Sequence, residues 1–444
     1  MNTNKTFATL IARFPTTETL FAYLRSAEGG RLTIRQSKEI PLSMIYYDKT
    51  VSVMSLPHVG MFRSIVWDER SNRPCCVSPA KGRDILGDNP PALGLVVEDF
   101  MDGTMINQFW DGTTWRLATR TLLDATSAYY GTYRDSLSVS VPGPVPGDAQ
   151  EAGEAAKPFA TLFTETLQSQ LGLTMAQFDP RFCYSWVLNH PAERVVVPAK
   201  YGLPSLSLVE VYHIDPATTD VSHRTGREFV SHLPSDTANQ SALKKALEKT
   251  LPPAHTDITL VGDIKARTQI WGKRFRHEWQ GLVGRCPLTG TRYRIRSAEY
   301  EFARNLRGNQ SNLRYQWLEL WTKGTLQTYL TIYPEEAVEA EEAVAAFKKA
   351  TEEIYNLYQV IYKRREMPLG QAPHKYRKLL WDIHSARSGA YFPALRSFMN
   401  LQDTARKLWL INYERRYGAS AAAPAPEAVA AEVAEAVAAP EAIA

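Results

Sequence analysis

The stretch "LVVEDFMDGTMINQFWDGTTWRLATRT", Leu95–Thr121, carries two Asp-Gly pairs set between β-branched and aromatic runs. Asp and Gly both suit tight turns, Gly because it tolerates positive φ and Asp because its carboxylate caps nearby backbone N–H groups. Asp111-Gly112, between "NQFW" and "TTWRLAT", has the pattern of a two-stranded hairpin. Asp102-Gly103 taken alone reads as a second hairpin turn or a bulge.

Working outward, short strand-like runs alternate with turn residues from about Leu42 to Arg120, which predicts antiparallel strands. Residues 140–157, "SVPGPVPGDAQEAGEAAK", have nothing to bury and read as a flexible insertion. Helical periodicity resumes over Phe159–Gln170, strand-like runs return at Ser185–Pro198 and Leu206–Ile214, and a helix is expected over Thr237–Leu251, ended by Pro252-Pro253. A further β section is expected from Ile258 to about Tyr333. From Pro334 the chain reads "PEEAVEAEEAVAAFKKATEEIYNLYQVIYKRRE", acidic at its start and basic at its end, as a helix dipole favours. Two or three more helices fill Lys375–Tyr417, and an Ala/Pro/Glu tail follows. The division expected is an N-terminal segment 1–41, a domain over 42–333, a helical domain over 334–417 and a tail over 418–444.

With 444 residues the chain exceeds one ordinary hydrophobic core, and its 44% hydrophobic and 22% charged composition is that of a soluble globular protein. No segment approaches the roughly 20 uninterrupted apolar residues of a membrane helix. The N-terminus lacks a secretory pattern, so the expectation is a protein that is not secreted and stays in the cytoplasm or nucleus. Cys75, Cys76, Cys183 and Cys286 are too scattered for a disulfide framework or a zinc site. The net charge of +4 does not by itself define a partner; the placement of the cations does.

Five stretches in order resemble the covalent nucleotidyltransferases, the ATP-dependent RNA and DNA ligases and capping guanylyltransferases, and most nearly the bacteriophage-type RNA ligases. "FMDGTMINQFWDGTTWRLATRT" is similar to the signature Lys-x-Asp-Gly with its downstream Arg, here Asp102, Gly103 and Arg120. "FRSIVWDERSNRPCCVSPAKG" resembles the segment before it, with Arg63 and Lys81 in the basic places. "YSWVLNHPAERVVVP" resembles the third motif, with Arg194 in the Arg place. "WQGLVGR" resembles the fourth, Glu-Gly-x-Val, and "YRIRSAEYEFARNLRGN" the fifth, Lys-x-Lys-Ser, with Arg294 and Arg296 for its lysines. The resemblance covers about Phe62–Gly308. It implies an α+β fold, a nucleotidyltransferase core of antiparallel sheets with flanking helices, plus a C-terminal helical domain. It also implies RNA or nucleotide as ligand, with ATP and Mg²⁺ if the protein is active, and phosphates held by Arg63, Lys81, Asp102, Gly103, Arg120, Arg294 and Arg296.

Three departures point one way. Phe100 stands where the lysine nucleophile belongs, and it has no lone pair to attack the α-phosphorus. Val187 and Gln280 stand where carboxylates belong, and neither replaces an anionic oxygen ligand for Mg²⁺. On strand geometry Glu98 shares the face of Phe100, and Glu278 that of Gln280, which makes Glu278 a candidate metal ligand. No lysine lies between Lys81 and Lys157, which leaves Lys81 as the substitute amine if chemistry persists.

The resulting expectation is an RNA ligase-like protein that binds nucleotide phosphates and RNA without forming lysyl-AMP. Its rivals are an active ATP-dependent RNA ligase using a displaced lysine such as Lys81, and a non-catalytic scaffold. His190 before Pro191 reads as a turn residue. In "HKYRKLLWDIHSAR" an amphipathic helix burying Leu379, Leu380, Trp381 and Ile383 is the expectation for the apolar residues, and the basic face is left open.

Overall fold

Glu210 lies on a ten-residue strand, Ser205–Ile214 (β11), whose register against Phe182–Asn189 (β10) shifts at the Ser185/Trp186 step. The extra residue, Val209, inverts the alternation of β11. Leu206 and Leu208 before it, and Val211 after it, all enter one core with Tyr184, Trp186 and Leu188 of β10. Glu210 and Tyr212 thereby turn to the opposite face of the sheet, which is what a one-residue bulge does to a period of two.

The computed structural model describes residues 3–85, 94–128, 157–258, 260–286 and 290–417. It is a mixture of antiparallel sheets and helices, the expected α+β class. The chain divides into two units, with the division within the helix Ala298–Arg307, between Asn305 and Leu306. The expected insertion at 140–157 and tail from 418 lie outside the described residues, save Lys157.

Three sheets form among the described residues of the first unit. One has six strands, in the spatial order Thr3–Asn4 (β1), Val221–Thr225 (β12), β11, β10, Thr104–Trp110 (β8) and Trp115–Ala118 (β9). β8 and β9 make the expected hairpin, with Trp110 opposite Trp115 and Gly112 at φ +100°. The helix Phe159–Leu171 buries Phe159, Leu162, Phe163, Thr166 and Leu167, the i, i+3, i+4 stripe, as part of the Trp186 core. A second sheet pairs Thr33–Gln36 (β2), Leu42–Tyr46 (β3), Ile65–Asp68 (β4) and Arg73–Cys76 (β5). The residues before Leu42 are built into it: Phe7, Leu20, Phe21 and Leu24, from the helices Thr6–Arg13 and Thr17–Arg25, share a core with Met44, Ile45 and Trp67. The third sheet has the order Arg83–Asp84 (β6), Arg292–Arg296 (β14), Gly281–Arg285 (β13) and Val96–Asp99 (β7).

The β section expected from Ile258 to Tyr333 is corrected. It holds only two strands among its described residues, between the helix Val261–Phe275 and the helices Ala298–Arg307, Leu313–Thr322 and Leu326–Ile332. The buried positions Ile264, Thr268 and Gly272 recur every four residues, which is the helical period. The strand expected to reach Pro198 stops at Asn189, before Pro191 opens a short 3-10 turn.

In the second unit the expected long helix runs Ala337–Tyr358, and the expected shorter ones are His374–Ser385, Phe392–Asn400 and Thr404–Tyr417. Leu379, Leu380 and Ile383 are buried as expected. Trp381 is not: it is 58% exposed. At 100° per residue it falls on the side away from the other three. No helix among the described residues is long and apolar enough to cross a membrane.

Candidate nucleotide-phosphate site

The third sheet arranges the candidate residues in rows. Its register places Glu98, Val283 and Arg294 side by side, and likewise Val96, Arg285 and Arg292. The next row brings Gly281 beside Arg296, and the Phe100 backbone N–H donates to the Gly281 carbonyl at 2.9 Å. Because strand side chains alternate, Arg292, Arg294 and Arg296 share one face while Tyr293 and Ile295 are buried in the core behind it. The Arg296 guanidinium lies 5.6 Å from the centre of the Phe100 ring. Gly281 has φ +141°, and a Cβ there would meet the Ile295 carbonyl oxygen at 2.1 Å, so only glycine lets the strands close at this row.

Asp102 and Gly103 serve the fold. The Asp102 carboxylate accepts the backbone N–H groups of Val196 and Val197 at 2.9 and 2.7 Å, and its other oxygen accepts the Tyr300 hydroxyl at 2.6 Å. Burial and the adjoining Asp102 charge push the Tyr300 hydroxyl well above its ordinary pKa, so it stays a proton donor. Gly103, at φ +143°, passes so close to β10 that a Cβ would lie 2.3 Å from the Leu188 carbonyl oxygen. Arg194 is buried as well, its Nε donating to the Val196 carbonyl at 2.9 Å.

The remaining candidates gather cations. Arg63 stands in the field of Arg292, Arg120 and Arg294; burial and these charges, against the raising influence of Tyr47, bring its pKa down to about 10. Arg120 donates to the Tyr47 carbonyl at 3.3 Å, with its guanidinium 5.2 Å from the Tyr47 ring. Lys81 is exposed on the loop after β5; its backbone N–H donates to Gly60, and the adjacent Gly82 lies against the Arg294 side chain. Burial and neighbouring cations, Arg304 and Arg294, also lower Arg296. Several buried donors have no acceptor among the described residues: Nε of Arg120, Nη1 of Arg292 and Nε of Arg296. Such groups are rare in folded proteins, and clustered on arginines they are suited to an anion.

Sequence reasoning missed three members of this cluster. Arg292 was legible, since it continues the two-residue spacing of Arg294 and Arg296. Lys49 and Arg304 carry no local signal. Lys49 is exposed overall, and its amine is partly desolvated. That desolvation, with Arg120, Arg294, Arg304 and Lys81 around it, lowers its pKa to about 8.

Acids near the site meet cations or hydrogen-bond donors: Glu301 lies 3.5 Å from Arg296, and Asp84 stands beside Arg294 in the β6–β14 register. Glu210, 1% exposed, pairs with Arg285 and Arg292 and accepts the Tyr212 hydroxyl. Burial alone would raise its carboxyl; the two guanidinium groups override that and hold it at about 2. Glu98, raised by burial against the opposing pull of Arg227, pairs with that arginine at 3.3 Å. Asp99 accepts from Trp279 at 3.1 Å and lies 2.9 Å from the His255 ring nitrogen. Val187 is buried on β10, and Gln280 is buried with its side-chain oxygen unpartnered among the described residues. The face-sharing argument for Glu278 fails, because Arg276–Glu278 is a 3-10 turn ahead of β13 and its carboxylate is exposed.

No protein-family profile matches the chain. No curated protein matches it either. Among solved structures it is similar to an archaeal ATP-dependent RNA ligase, form 2, at 11% identity over 79% of this chain and 83% of that one, with a TM-score of 0.36. Form 1 of an archaeal ATP-dependent RNA ligase gives 10% identity over 93% and 99%, with a TM-score of 0.33. A mutant Naegleria gruberi RNA ligase with ATP and Mn gives 13% identity over 50% and 57%, with a TM-score of 0.30.

Proposed function

We propose that this chain is an RNA ligase-like protein that binds the phosphates of nucleotides and RNA inside the cell and does not form lysyl-AMP. The observation that carries the reading is the shared face of Arg292, Arg294 and Arg296, with unpartnered buried guanidinium donors and Phe100 at its end. Guanidinium groups bind phosphate without surrendering a proton, so binding outlives the loss of a nucleophile. Phe100 adds an aromatic surface of the kind on which bases stack.

Titration of a 5'-phosphorylated RNA into the protein at several salt concentrations tests it. Affinity should fall steeply with salt, and substitution of Arg294 and Arg296 by Gln should weaken it and flatten the slope. Salt-independent or absent binding would leave the scaffold reading.

One observation favours a second reading, an active ATP-dependent RNA ligase with a displaced nucleophile. The amine at about 8 belongs to Lys49, so Lys49 joins Lys81 as a candidate acceptor. Incubation with α-labelled ATP decides between the two. A label that survives denaturation and maps to Lys49 or Lys81 establishes the second.

A further inference from the structure

The family resemblance implies Mg²⁺ beside the nucleotide, and the residues of this site do not fit it. Mg²⁺ requires oxygen ligands at about 2.0–2.1 Å in near-octahedral geometry and is held by one or two carboxylates with the substrate phosphates. The two positions expected to supply carboxylates are Val187, a buried hydrocarbon, and Gln280, a neutral amide. Nearby acids lie against cations or hydrogen-bond donors instead: Glu301 is 3.5 Å from Arg296, and Asp84 stands beside Arg294 in the β6–β14 register. Asp102 accepts three hydrogen bonds from its own chain, Glu98 is held by Arg227, and Glu210 by Arg285 and Arg292. Among the described residues no group of three or more His, Cys, Asp or Glu is placed to hold a metal ion. The electrostatics are adverse too, since a dication would enter the same field of Arg120, Arg294, Arg304 and Lys81 that lowers Lys49.

What Mg²⁺ supplies to a bound phosphate is neutralisation, and the arginines supply it here. We propose that this arginine site takes its phosphate as the metal-free anion, either the polyphosphate of a nucleotide or the 5'-phosphate of an RNA. Arg63, Arg120, Arg294 and Arg296 replace the metal. This rests on the phosphate-binding reading above and goes beyond it in the sign of the metal's effect. Mg²⁺ binds a free nucleoside triphosphate and cancels part of its charge, so adding the metal lowers affinity for a site that holds phosphate through arginines.

The test is binding of ATP, of a 5'-phosphorylated RNA and of its 5'-hydroxyl counterpart, each in EDTA and in excess Mg²⁺. The inference requires that ATP or the 5'-phosphorylated RNA bind in EDTA at least as tightly as in Mg²⁺. The ligand that does so identifies the source of the phosphate. Arg294→Gln with Arg296→Gln should weaken that binding about tenfold or more, with no recovery on adding Mg²⁺. Gln280→Glu should weaken binding in EDTA and make Mg²⁺ favourable, with circular dichroism confirming that each variant is folded. Tighter binding of unmodified protein in Mg²⁺ overturns the metal-free inference while the phosphate site stands. Absence of binding in both conditions removes the phosphate site itself, and the inference with it.

Discussion

Arg296 holds its guanidinium 5.6 Å from the centre of the Phe100 ring, at the position where the resemblance calls for a lysine. A cation over an aromatic face is attracted by the ring quadrupole, whereas two cations at that distance repel. Phe100 is therefore matched to its surroundings, and placing a lysine there is not a neutral act.

Phe100→Leu should lower stability by about 1 kcal/mol through loss of that attraction. Phe100→Lys should cost more, because it sets an ammonium group against Arg296. Urea denaturation of both variants measures this, and equal midpoints for Phe100→Lys and unmodified protein would contradict the facing geometry.

Asp102→Ala leaves the Tyr300 hydroxyl and the N–H groups of Val196 and Val197 without their acceptor. Each buried unsatisfied group costs roughly 1–3 kcal/mol, so a loss of at least about 3 kcal/mol is expected. Phosphate affinity of the folded fraction should hardly change. A variant of normal stability with lost affinity would move Asp102 from the scaffold into the binding surface.

Lys49 fixes a pH dependence. With its pKa at about 8, the amine is charged below that pH and neutral above it. A phosphate monoester has its second pKa near 6, so it is dianionic throughout this range. Affinity for phosphate should therefore decline between pH 7 and pH 9, and Lys49→Met should flatten that decline. A pH profile indifferent to the substitution would place the Lys49 amine away from the ligand.

Glu210 governs acid sensitivity. Its folded pKa, about 2, lies below the ordinary 4.5, so its contribution to stability is whole above the unfolded value and disappears as pH falls toward the folded one. Glu210→Gln leaves Arg285 and Arg292 buried without their counter-charge and should cost roughly 3–5 kcal/mol at neutral pH. It should also remove part of the loss of stability between pH 5 and pH 2, which thermal melts across that range would detect.

Much of this was legible in local sequence. The Asp111-Gly112 hairpin, the helices that begin at Phe159 and Ala337, and the paired arginines at 294 and 296 announce themselves through turn chemistry or period. The errors have physical causes. Strands were expected around Trp271 and Trp317 although both lie in helices, and Glu278 was assigned a strand face in what is a turn. The role of Asp102 was hidden because its three hydrogen-bond partners lie 94, 95 and 198 residues away.

By itself the sequence determined the type of most elements and the neutral side chains at Phe100, Val187 and Gln280, because composition and local period are properties of neighbours along the chain. Only the tertiary structure decided that Lys49, Arg63, Arg120 and Arg294 occupy one electrostatic field, that Asp102 is spent on the scaffold, and that Glu210 turns toward two arginines. Electrostatic and hydrogen-bonding partners are set by distance in space, and the bulge at Val209 and the register of β13 with β14 create those distances.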